Sequence, residues 1–423
     1  MMENEANRIR ETSLKHLDGK LQTLMHYVSE RNLYEAHLQQ MKNKAVGIDN
    51  ITKDEYNDNL FENLKDLCNR MKTFKYHPKP TKRKYIPKLN GKLRPLGIVS
   101  YEDKLVQKVM ADVLTNVYEP RFLSTSYGFR PNKSCHDVIR DINHNIMRNN
   151  INWIVEADIK GFFDNLSHDW LMKFLANDIN DKNFLRYIKR FLIAGVMEEG
   201  KFFETDKGAI QGGNLSPVLA NVYLHYVLDL WFEKVVRPRM KGKAFIFRYA
   251  DDFLATFEYE EDAKKFYDVL PKRLAKFELE VATEKTRIIP FGRNSKSKET
   301  FEFLGFKFIN GKTRNGYYKV AIITSPKKLK AKRQEVKLWI ESQMHIPVIE
   351  IINKLNRKLI GHYRYYGVNG NSKAMSKFRC FCVKRLLRTL QRRGQKHKMN
   401  WEKFQQIVKF NPIAIPRIYV QIW

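Results

Sequence analysis

The chain has 423 residues, of which 43% are hydrophobic and 13% aromatic, so it can bury two or three cores and is not a disordered polypeptide. Its charge is unusual, because 77 Lys and Arg residues against 46 Asp and Glu give a formal net charge of +31. This excess predicts a polyanionic partner, with nucleic acid as the first candidate and an anionic membrane surface as the alternative. The sequence has neither an apolar stretch of about twenty residues nor a signal peptide, so we expect a cytoplasmic protein without membrane association.

Patterns of apolar and turn residues divide the N-terminal part of the chain into helices and short strands. The stretch from Glu30 to Lys72 has helical character, and Thr52 is suited to cap a helix there. The predicted elements, in chain order, are a helical stretch at 30–72, a hairpin of strands 84–88 and 92–96 around Asn90-Gly91, an amphipathic helix through 105–117 and a strand at 153–157.

The rest of the chain begins with strands and ends with basic helices. A glycine-rich loop at 208–217 opens a helix, for which Ser216 is the predicted cap and Pro217 suits the first turn. The character of the sequence changes near residue 325, where we expect the main domain boundary. The remaining predicted elements are strands at 244–247 and 253–257, a helix at 260–279, a strand at 301–308 interrupted by Gly305, and a basic, helix-prone region at 327–398.

Three aspartates stand at the ends of predicted strands. Asp251 and Asp252 occupy the turn of a hairpin, and Asp158 follows another strand about ninety residues earlier. Adjacent acids in a turn are often only solvated. However, carboxylates from separate elements are also the usual ligands of two Mg²⁺ ions about 3.5–4 Å apart, which catalyse in-line phosphoryl transfer. We therefore predict a two-metal site.

These acids belong to a series of motifs that spans about residues 30 to 370. The motifs are Arg-Pro-Leu-Gly-Ile at 94–98, Ser-Tyr-Gly-Phe-Arg-Pro at 126–131, Asp-Ile-Lys-Gly-Phe-Phe-Asp at 158–164, Gln-Gly-Gly at 211–213, Tyr-Ala-Asp-Asp at 249–252, Glu-Lys-Thr at 284–286, Phe-Leu-Gly-Phe at 303–306 and Gly-His-Tyr-Arg-Tyr-Tyr at 361–366. With them, the chain resembles bacterial group II intron-encoded reverse transcriptases, also called maturases. Any one motif is a weak signal, whereas seven or more in the family's order make a specific one.

The resemblance implies that Asp158, Asp251 and Asp252 are catalytic. Together with Ile159 they form the implied site of two Mg²⁺ ions, for which Mn²⁺ is a possible substitute. One ion would lower the pKa of the primer 3′-hydroxyl, and the other would bridge the incoming triphosphate and the leaving pyrophosphate. Asp252 is expected to be the least direct ligand of the three aspartates.

The resemblance also implies a nucleotide-binding set. Phe163 stands where the family has an aromatic steric gate against a 2′-hydroxyl; alternatively Phe163 is a core residue, with Phe162 at the gate or no gate at all. Arg94 and Lys88 flank the fingers hairpin and would clamp phosphates, although Lys88 also suits a solvated surface. Lys285 would steady the leaving pyrophosphate or donate its proton, or it is a plain lysine at a helix end. The full set is Lys88, Arg94, Phe163, Gln211, Gly212 and Lys285.

The loop at 210–213 is implied to touch the incoming nucleotide. Gln211 resembles the glutamine that makes this contact in the family, and Gly212 and Gly213 permit close approach of the main chain. Ile210 stands where the family more often has proline, which leaves the conformation of the loop open.

The C-terminal region is implied to bind nucleic acid. The motif at 361–366 resembles a thumb surface against the template–primer minor groove, but aromatic residues at helical spacing more often serve packing, so we expect at least two of its three tyrosines to be core residues. The stretch from 377 to 398 is denser in cations than a solvated face needs, which predicts a phosphate-binding helix. The implied contacts are His362, Tyr363, Tyr366, Arg385, Arg388, Arg392 and Arg393.

The fold implied by the resemblance is α+β, a right-hand polymerase with fingers, a palm of antiparallel sheet backed by helices, and a helical basic thumb. Little sequence follows Trp401, so we expect the compact type without the His-Asn-His endonuclease domain of longer members. The predicted domains are an N-terminal extension with the start of the fingers at 1–80, the fingers at 81–150, the palm with the catalytic centre at 151–324, and the thumb with a maturase-type RNA-binding region at 325–423.

The predicted function is that of an RNA-directed DNA polymerase that copies RNA into DNA by two-metal nucleotidyl transfer and binds intron RNA to assist splicing and mobility. The implied partners are structured intron RNA, an RNA template with a DNA primer, and dNTPs, in the bacterial cytosol or nucleoid. One alternative is a domesticated relative that acts in phage defence or DNA repair. Another is an RNA-binding maturase whose polymerase activity is dispensable, although the three intact acids argue against that loss. The sequence leaves the oligomeric state open.

Overall fold

The computed structural model describes residues 1, 3–87, 93–393 and 399–423 of the chain. Compactness divides it into two units. Unit 1 comprises Met1–Ser134, Val155–Ala255 and Glu261–Arg287, and unit 2 comprises Cys135–Ile154, Thr256–Glu260 and Ile288–Trp423. These limits differ from the predicted domain boundaries at 80, 150 and 324, and the assignment of fingers, palm and thumb to particular residues stays a prediction.

Helices and a hairpin make up the described chain as far as residue 118. They are α1 (Glu3–Lys15), α2 (Glu30–Gln39), α3 (Lys53–Asn57), α4 (Leu60–Lys72), β1 (Thr81–Pro87), β2 (Leu93–Ile98) and α5 (Tyr101–Tyr118). Thr52 accepts a hydrogen bond from the Glu55 main-chain nitrogen at 3.2 Å, and the Glu55 carboxylate accepts one from the Thr52 main chain at 2.8 Å, which confirms the predicted cap. The apolar spacing of α5 buries most of that helix, which packs against α1 and α2.

Strands and helices alternate through the middle of the chain. They are α6 (Cys135–Arg148), β3 (Trp153–Ala157), α7 (Phe162–Asn165), α8 (His168–Asp178), α9 (Lys182–Leu192), β4 (Val196–Glu198), β5 (Lys201–Phe203), α10 (Ser216–Leu224), β6 (Ala244–Tyr249), β7 (Asp252–Phe257), α11 (Glu260–Ala275) and β8 (Arg287–Pro290). Two π-helical segments, His225–Asp229 and Phe232–Val236, continue α10. The predicted helix at 260–279 is confirmed as α11, but it ends four residues earlier.

The C-terminal part has a small sheet followed by helices. They are β9 (Thr300–Phe303), β10 (Phe306–Lys312), β11 (Tyr318–Thr324), α12 (Pro326–Ser342), α13 (Val348–Tyr366), α14 (Ser372–Gln391) and α15 (Trp401–Phe410). The predicted strand at 301–308 is in fact a hairpin, because Leu304 (φ 48°) and Gly305 (φ 78°) reverse the chain in a two-residue turn. The helix-prone character expected from residue 327 onward is confirmed.

The strands form three sheets within the described residues. Unit 1 contains the sheet with strand order β2-β1-β4-β5, and unit 2 contains the sheet β11-β10-β9. The predicted hairpin of β1 and β2 is confirmed, with Ile86 opposite Arg94 in an antiparallel pair. Its turn dipeptide, Asn90-Gly91, lies outside the described residues.

The third sheet, β6-β7-β3-β8, positions the three aspartates. The main-chain nitrogen of Asn152, just before β3, donates to the carbonyl of Phe257 at the end of β7 at 3.0 Å. These neighbouring strands therefore run antiparallel, and the end of β3 lies beside the start of β7. Asp158 and the Asp251–Asp252 pair consequently share one end of the sheet.

The helices α12 to α15 of unit 2 bury one apolar core. Residues from each helix contribute to it, among them Ile340, Leu355, Leu386 and Phe404. Cationic side chains occupy much of the remaining helix surface. Within the described parts of the chain, we find no helix with the length and apolar character needed to cross a membrane.

Candidate active site

The predicted Asp-Asp hairpin is confirmed by the structure. β6 and β7 are joined by a two-residue turn, Ala250 and Asp251, and Asp252 begins the second strand. Ala250 has a φ of 57°, in the left-handed region, where a residue other than glycine costs roughly 1–3 kcal/mol. Such strain persists only where surrounding contacts impose it. Asp251 is half-buried, and Asp252 is exposed.

The main chain around Asp158 is held by a short ladder with residues 280–282. The Asp158 carbonyl accepts from the Ala282 nitrogen at 2.9 Å, and the Lys160 nitrogen donates to the Glu280 carbonyl at 2.9 Å. Because these flanking residues make both hydrogen bonds of the antiparallel Ile159–Val281 pair, the Ile159 carbonyl is directed away from that partner. The Asp158 side chain is 18% exposed.

Asp158 and Asp251 interact electrostatically. Burial raises the pKa of Asp251 above its ordinary value, and the Asp158 carboxylate raises it further, whereas the charges of Arg94 and Lys285 lower it. The Lys285 ammonium pairs with the Asp158 carboxylate, and this hydrogen bond raises the pKa of Lys285. The two carboxylates thus share a site to which a cationic group is already attracted.

This donor set fits a hard divalent cation. A cation between Asp158 and Asp251 would offset both the burial and the Asp158 repulsion that raise the pKa of Asp251, and carboxylate oxygens are the ligands that Mg²⁺ prefers. Among the described residues, no group of three or more His, Cys, Asp or Glu side chains is arranged as a metal site. Asp158 therefore interacts directly with Asp251, and the exposed Asp252 acts on the same Lys285 ammonium.

The loop before α10 lies directly on β2. The Gly97 nitrogen donates to the Gln211 carbonyl at 2.7 Å. A Cβ on Gly212, whose φ is +115°, would stand 2.6 Å from the Gly97 carbonyl oxygen, so this position requires glycine. The Ile210 carbonyl accepts from the Gly213 nitrogen at 3.3 Å and from the Ser216 hydroxyl at 2.7 Å. The predicted cap is therefore wrong: Ser216 is the first residue of α10, and its hydroxyl donates to the Ile210 carbonyl and so holds the loop.

Phe162 and Phe163 occupy different environments. Phe162 is 2% exposed and packs edge-on against the ring of Tyr223, so it is a core residue. Phe163 is half-buried, and it lines a pocket together with Gln211 and Leu96. The structure thus brings Phe163 to the predicted nucleotide loop and removes Phe162 from it.

The predicted phosphate clamp is described in part. Arg94 is exposed on β2, and its charge influences Asp251. Lys88 lies outside the described residues. The cations that the structure places near the paired acids are therefore Arg94 and Lys285.

Comparison with known proteins agrees with this site. The sequence model of the family described as reverse transcriptase (RNA-dependent DNA polymerase) matches residues 79–308, which is more than half of the chain and includes all three acids. The chain belongs to this family. A reverse transcriptase domain implies a polymerase fold with palm, fingers and thumb, and the observed mixture of helices and sheets agrees with the predicted α+β class.

Several curated relatives are intron-encoded proteins. The group II intron-encoded protein LtrA of Lactococcus lactis subsp. cremoris is 37% identical over 229 residues, which cover 53% of this chain and 38% of LtrA. The putative COX1/OXI3 intron 1 protein of Saccharomyces cerevisiae is 36% identical over 181 residues, or 43% of this chain and 21% of that protein. Protein YkfC of Escherichia coli is 31% identical over 307 residues, or 65% of this chain and 78% of YkfC. The predicted resemblance to group II intron reverse transcriptases is confirmed.

The motif at 361–366 is buried at two of its six positions, His362 and Tyr363. Tyr363 is fully buried and its hydroxyl donates to the Ala414 carbonyl at 3.3 Å, so the prediction that Tyr363 contacts nucleic acid is wrong. His362 is 6% exposed, and burial lowers its pKa to about 4. Apolar spacing on α13 points both side chains into the core of unit 2, which leaves them little surface for a ligand.

The other two tyrosines of the motif brace the β9–β10 turn. Tyr365 and Tyr366 are half-buried, with ring centroids 5.7 Å and 5.2 Å from that of Phe306. The Tyr365 hydroxyl donates to the Leu304 carbonyl at 2.8 Å. The motif therefore joins a helix to a strand turn, and Tyr363 is its fully buried tyrosine.

The four predicted RNA-binding arginines differ in their surroundings. Arg388 and Arg392 are exposed. Arg385 lies 3.7 Å from the Glu341 carboxylate. Arg393 donates to the main-chain carbonyls of Gln343, at 3.0 Å, and Ile346, at 2.7 Å, so it ties the end of α14 to the segment after α12. Only the first two offer their guanidinium groups to a partner without breaking a described contact.

Two further candidate functional residues, Arg248 and Asp229, were not among those predicted from the sequence motifs. Both side chains are fully buried, and the guanidinium donates to both carboxylate oxygens, at 2.7 Å and 2.6 Å. The available signal is Arg248 itself, a charge at the end of the apolar run 244–247, immediately before the Tyr-Ala-Asp-Asp motif. A lone charge in a buried strand calls for a buried partner.

Proposed function

We propose that the chain is an RNA-directed DNA polymerase that copies RNA into DNA by two-metal nucleotidyl transfer, and that it binds intron RNA to assist splicing and mobility. The observation that carries the proposal is the pairing of Asp158 with Asp251 at one end of a buried sheet, inside the segment that matches the family. The relatives' descriptions as intron-encoded proteins support the intron role.

Asp158 and Asp251 would hold the metal ions, with the Ile159 carbonyl as a further oxygen ligand. Bound Mg²⁺, or Mn²⁺ in its place, lowers the pKa of a primer hydroxyl and stabilises charge on the phosphates. The Lys285 side chain is 62% exposed, so its stem is free to leave Asp158 and to place its ammonium against the leaving pyrophosphate. Asp252, at the exposed edge, would contribute mainly negative charge.

The pocket that Phe163 and Gln211 share would receive the incoming nucleotide. A half-buried aromatic ring at its wall suits a steric gate, since it would clash with a 2′-hydroxyl and leave room for a deoxyribose. Arg94 would bind the phosphates through its forked donors, in support of the clamp role. Gly212, which is exposed and close to β2, would allow the main chain to approach the nucleotide.

The sheet β6-β7-β3-β8 would form the palm, backed by helices, and the helices α12 to α15 would form a basic thumb. The net charge of +31 suits a chain that follows the phosphates of an RNA template, a DNA primer and a structured intron RNA. Arg388 and Arg392 are the exposed candidates for these phosphate contacts. We place this activity in the bacterial cytosol or nucleoid, where such an RNA is made.

Primer extension tests the polymerase proposal directly. The purified chain should extend a DNA primer on an RNA template with dNTPs and Mg²⁺, and Asp251→Asn should abolish the extension while the protein stays folded. Extension by Asp251→Asn at the wild-type rate would remove Asp251 from the metal site. An inactive wild type, tested with Mg²⁺ and Mn²⁺, would overturn the polymerase proposal.

The RNA that co-purifies with the chain from its own cells tests the intron role. Sequencing should find one structured intron with spliced and unspliced junctions. A small noncoding RNA or a broad mixture would overturn the intron role and favour a domesticated polymerase in phage defence or DNA repair. Wild-type splicing and mobility of the intron with an inactive Asp251→Asn variant would instead identify a maturase with dispensable polymerase activity.

A further inference from the structure

The structure contains a buried cluster around Arg248 that contacts the Ala250–Asp251 turn. We propose that Arg248 is a positioning residue: its guanidinium holds the Ala250 carbonyl and thereby fixes the direction in which Asp251 presents its carboxylate. This inference rests on the proposed polymerase function for its kinetic consequence. The hydrogen bonds that support it lie within unit 1.

Every donor of the Arg248 guanidinium has an acceptor. An arginine side chain carries five N–H donors in a fixed plane. Nε and one Nη2 hydrogen go to the two Asp229 oxygens, at 2.7 Å and 2.6 Å, and the second Nη2 hydrogen goes to the Ser126 hydroxyl at 2.6 Å. The two Nη1 hydrogens go to the Asn221 side-chain oxygen and to the Ala250 carbonyl, each at 3.0 Å. Four distinct partners therefore fix the plane of the guanidinium.

The bond to Ala250 acts on the peptide that joins Ala250 to Asp251. Holding the Ala250 carbonyl fixes the plane of that peptide and so limits the rotation of Asp251. Ala250 adopts the left-handed conformation without being glycine, and such a conformation lasts only where the surroundings impose it. Arg248 supplies this constraint from two residues away.

The motif at 126–131 also contacts the catalytic turn and the Arg248 cluster. The Tyr127 nitrogen donates to the Arg248 carbonyl at 2.8 Å, and Ser126 forms an isolated parallel bridge with Arg248 beside β6. A Cβ on Gly128 would stand 2.3 Å from the Ala250 nitrogen, which places the Gly128 main chain directly against the turn. The Asn221 side chain donates to the Gly128 carbonyl at 2.7 Å, which joins the motif to the Arg248 cluster. Through this contact the Ser-Tyr-Gly segment would keep the Gly128 main chain packed against the catalytic turn.

The π-helical segment after α10 brings Asp229 to Arg248. Asn221 and Asp229 are eight residues apart, and in a regular α-helix they would lie about 80° apart around the axis. The π-helical segment His225–Asp229 turns through a smaller angle per residue, so it returns Asp229 toward the face of Asn221. Single π turns often occur at functional sites, and here the irregular turn serves a buried ion pair.

Geometry carries this function more than charge. Arg248 and Asp229 form a neutral, fully buried pair, so the pair presents little net field to the metal site. A variant that removes both charges and keeps the volume should therefore avoid an uncompensated buried charge and lose the hold on Ala250. That expectation separates a positioning role from a role in stability alone.

The deciding experiment uses the full chain with the double substitution Arg248→Met/Asp229→Leu. The melting temperature and circular dichroism report folding, and electron paramagnetic resonance with Mn²⁺ alone reports the affinity of the metal site. Primer extension reports kcat, the KM for dNTP and the Mg²⁺ concentration at half-maximal rate. The matched control is Arg121→Met/Asp178→Leu, another buried ion pair of unit 1 whose described contacts do not include the turn.

The expected result is a folded double variant whose kcat falls about 100-fold, as a misplacement of about 1 Å typically costs. Its Mn²⁺ affinity should fall roughly tenfold and its KM for dNTP should change by less than about threefold, because the turn and not the nucleotide pocket is disturbed. The control pair should keep kcat within about threefold. A double variant with wild-type kcat and wild-type Mn²⁺ affinity would overturn the inference.

If the double variant does not fold, Gly128→Ala decides. It keeps the ion pair intact and presses on the Ala250 nitrogen from the other side, so it should lower both Mn²⁺ affinity and kcat; unchanged values would overturn the inference. The wild type, measured in parallel, separates the two proposals. An inactive wild type defeats the polymerase function, while Mn²⁺ affinities still test whether Arg248 positions Asp251.

Discussion

Arginine serves two purposes in this protein, one in unit 1 and the other on the helices of unit 2. In unit 1, Arg248, Arg130 and Arg121 have side chains that are 0%, 6% and 7% exposed, and each pairs with a carboxylate. In unit 2, Arg388 and Arg392 are exposed. A buried guanidinium with all its donors committed fixes main-chain geometry, whereas an exposed one remains available to a phosphate.

This contrast shows that net charge alone does not identify the residues that bind a partner. The excess of +31 predicts a polyanionic partner, but it does not say which cations meet that partner. Even within the basic helix α14 the arginines differ, since Arg379 donates to the Ala414 carbonyl at 3.1 Å while Arg388 is exposed. Variants of the two units should therefore fail in different ways, and the following predictions test that difference.

The largest effect is expected at the paired acids. Asp158→Asn or Asp251→Asn should lower primer extension by roughly 10³-fold or more, because each loses a metal ligand that acts in the transition state. RNA affinity should stay within about threefold of wild type in a filter-binding assay. Asp252→Asn is the matched comparison and should lose less, because its carboxylate is exposed. A large loss of RNA affinity in the Asp251 variant would mean that the active-site acid also organises the RNA surface.

Acid should destabilise both units through one buried histidine in each. Burial lowers the pKa of His225 and of His362 to about 4, and neither the Nδ1 of His225 nor the Nε2 of His362 has a hydrogen-bond partner in the described part of the chain. The folded state favours the neutral imidazole, so stability is full above the unfolded pKa of about 6.5 and is lost as the pH falls toward 4. Each histidine should cost about 2 kcal/mol between pH 7 and pH 5.

Urea unfolding at both pH values measures this loss. His225→Phe should remove the part of the pH dependence that His225 contributes in unit 1, and His362→Phe should remove the part that His362 contributes in unit 2. Equal pH dependence in the wild type and in both variants would exclude the two histidines as its source.

A smaller effect is expected from substitution of Phe163 in the proposed nucleotide pocket. Phe163→Val should lower the preference for dNTP over NTP by about 10- to 200-fold, the range typical of a single steric contact, while kcat for dNTP changes little. Single-nucleotide incorporation with dNTP and NTP gives the ratio. Phe163→Tyr, which keeps the ring, is the control and should retain the preference. An unchanged ratio in Phe163→Val would exclude the gate role.

The smallest effects are expected on the exposed face of α14. Arg388→Gln/Arg392→Gln should weaken RNA binding about tenfold and lower the slope of log affinity against log salt by about 2, since two phosphate contacts are lost. Extension on a short, saturating primer–template should change little. Lys312→Gln/Arg314→Gln, two exposed cations of the β10–β11 hairpin in the same unit, carries the same change in net charge.

A matched loss of affinity in the Lys312/Arg314 variant would mean that binding follows net charge and not the α14 surface. Arg393→Gln extends the contrast to a residue just beyond the end of α14. The Arg393 variant should lower the melting temperature of the protein, because Arg393 holds the Gln343 and Ile346 carbonyls. The slope of log RNA affinity against log salt should change little.

Much of the site could be predicted because its functional residues lie in short sequence motifs. The strand at 153–157, the Asp-Asp hairpin and the loop before α10 follow from local apolar patterns and turn residues, and the structure contains all three. Phe163 and Gln211, which the motifs proposed as neighbours of one nucleotide, do line one pocket. The predictions failed where burial decided the outcome, as at Tyr363, and where a hydroxyl donates to the preceding loop and does not cap its helix, as at Ser216.

The sequence by itself determined the family, the α+β class and the acids that meet at the end of the sheet, since each depends on residue types at fixed spacing. Only the tertiary structure decided which charged groups are committed inside. Arg248 meets Ser126, Asn221 and Asp229, which lie up to 122 residues away along the chain. No local pattern encodes such contacts, because they depend on how a π-helical turn and the segment around Ser126 pack against one hairpin.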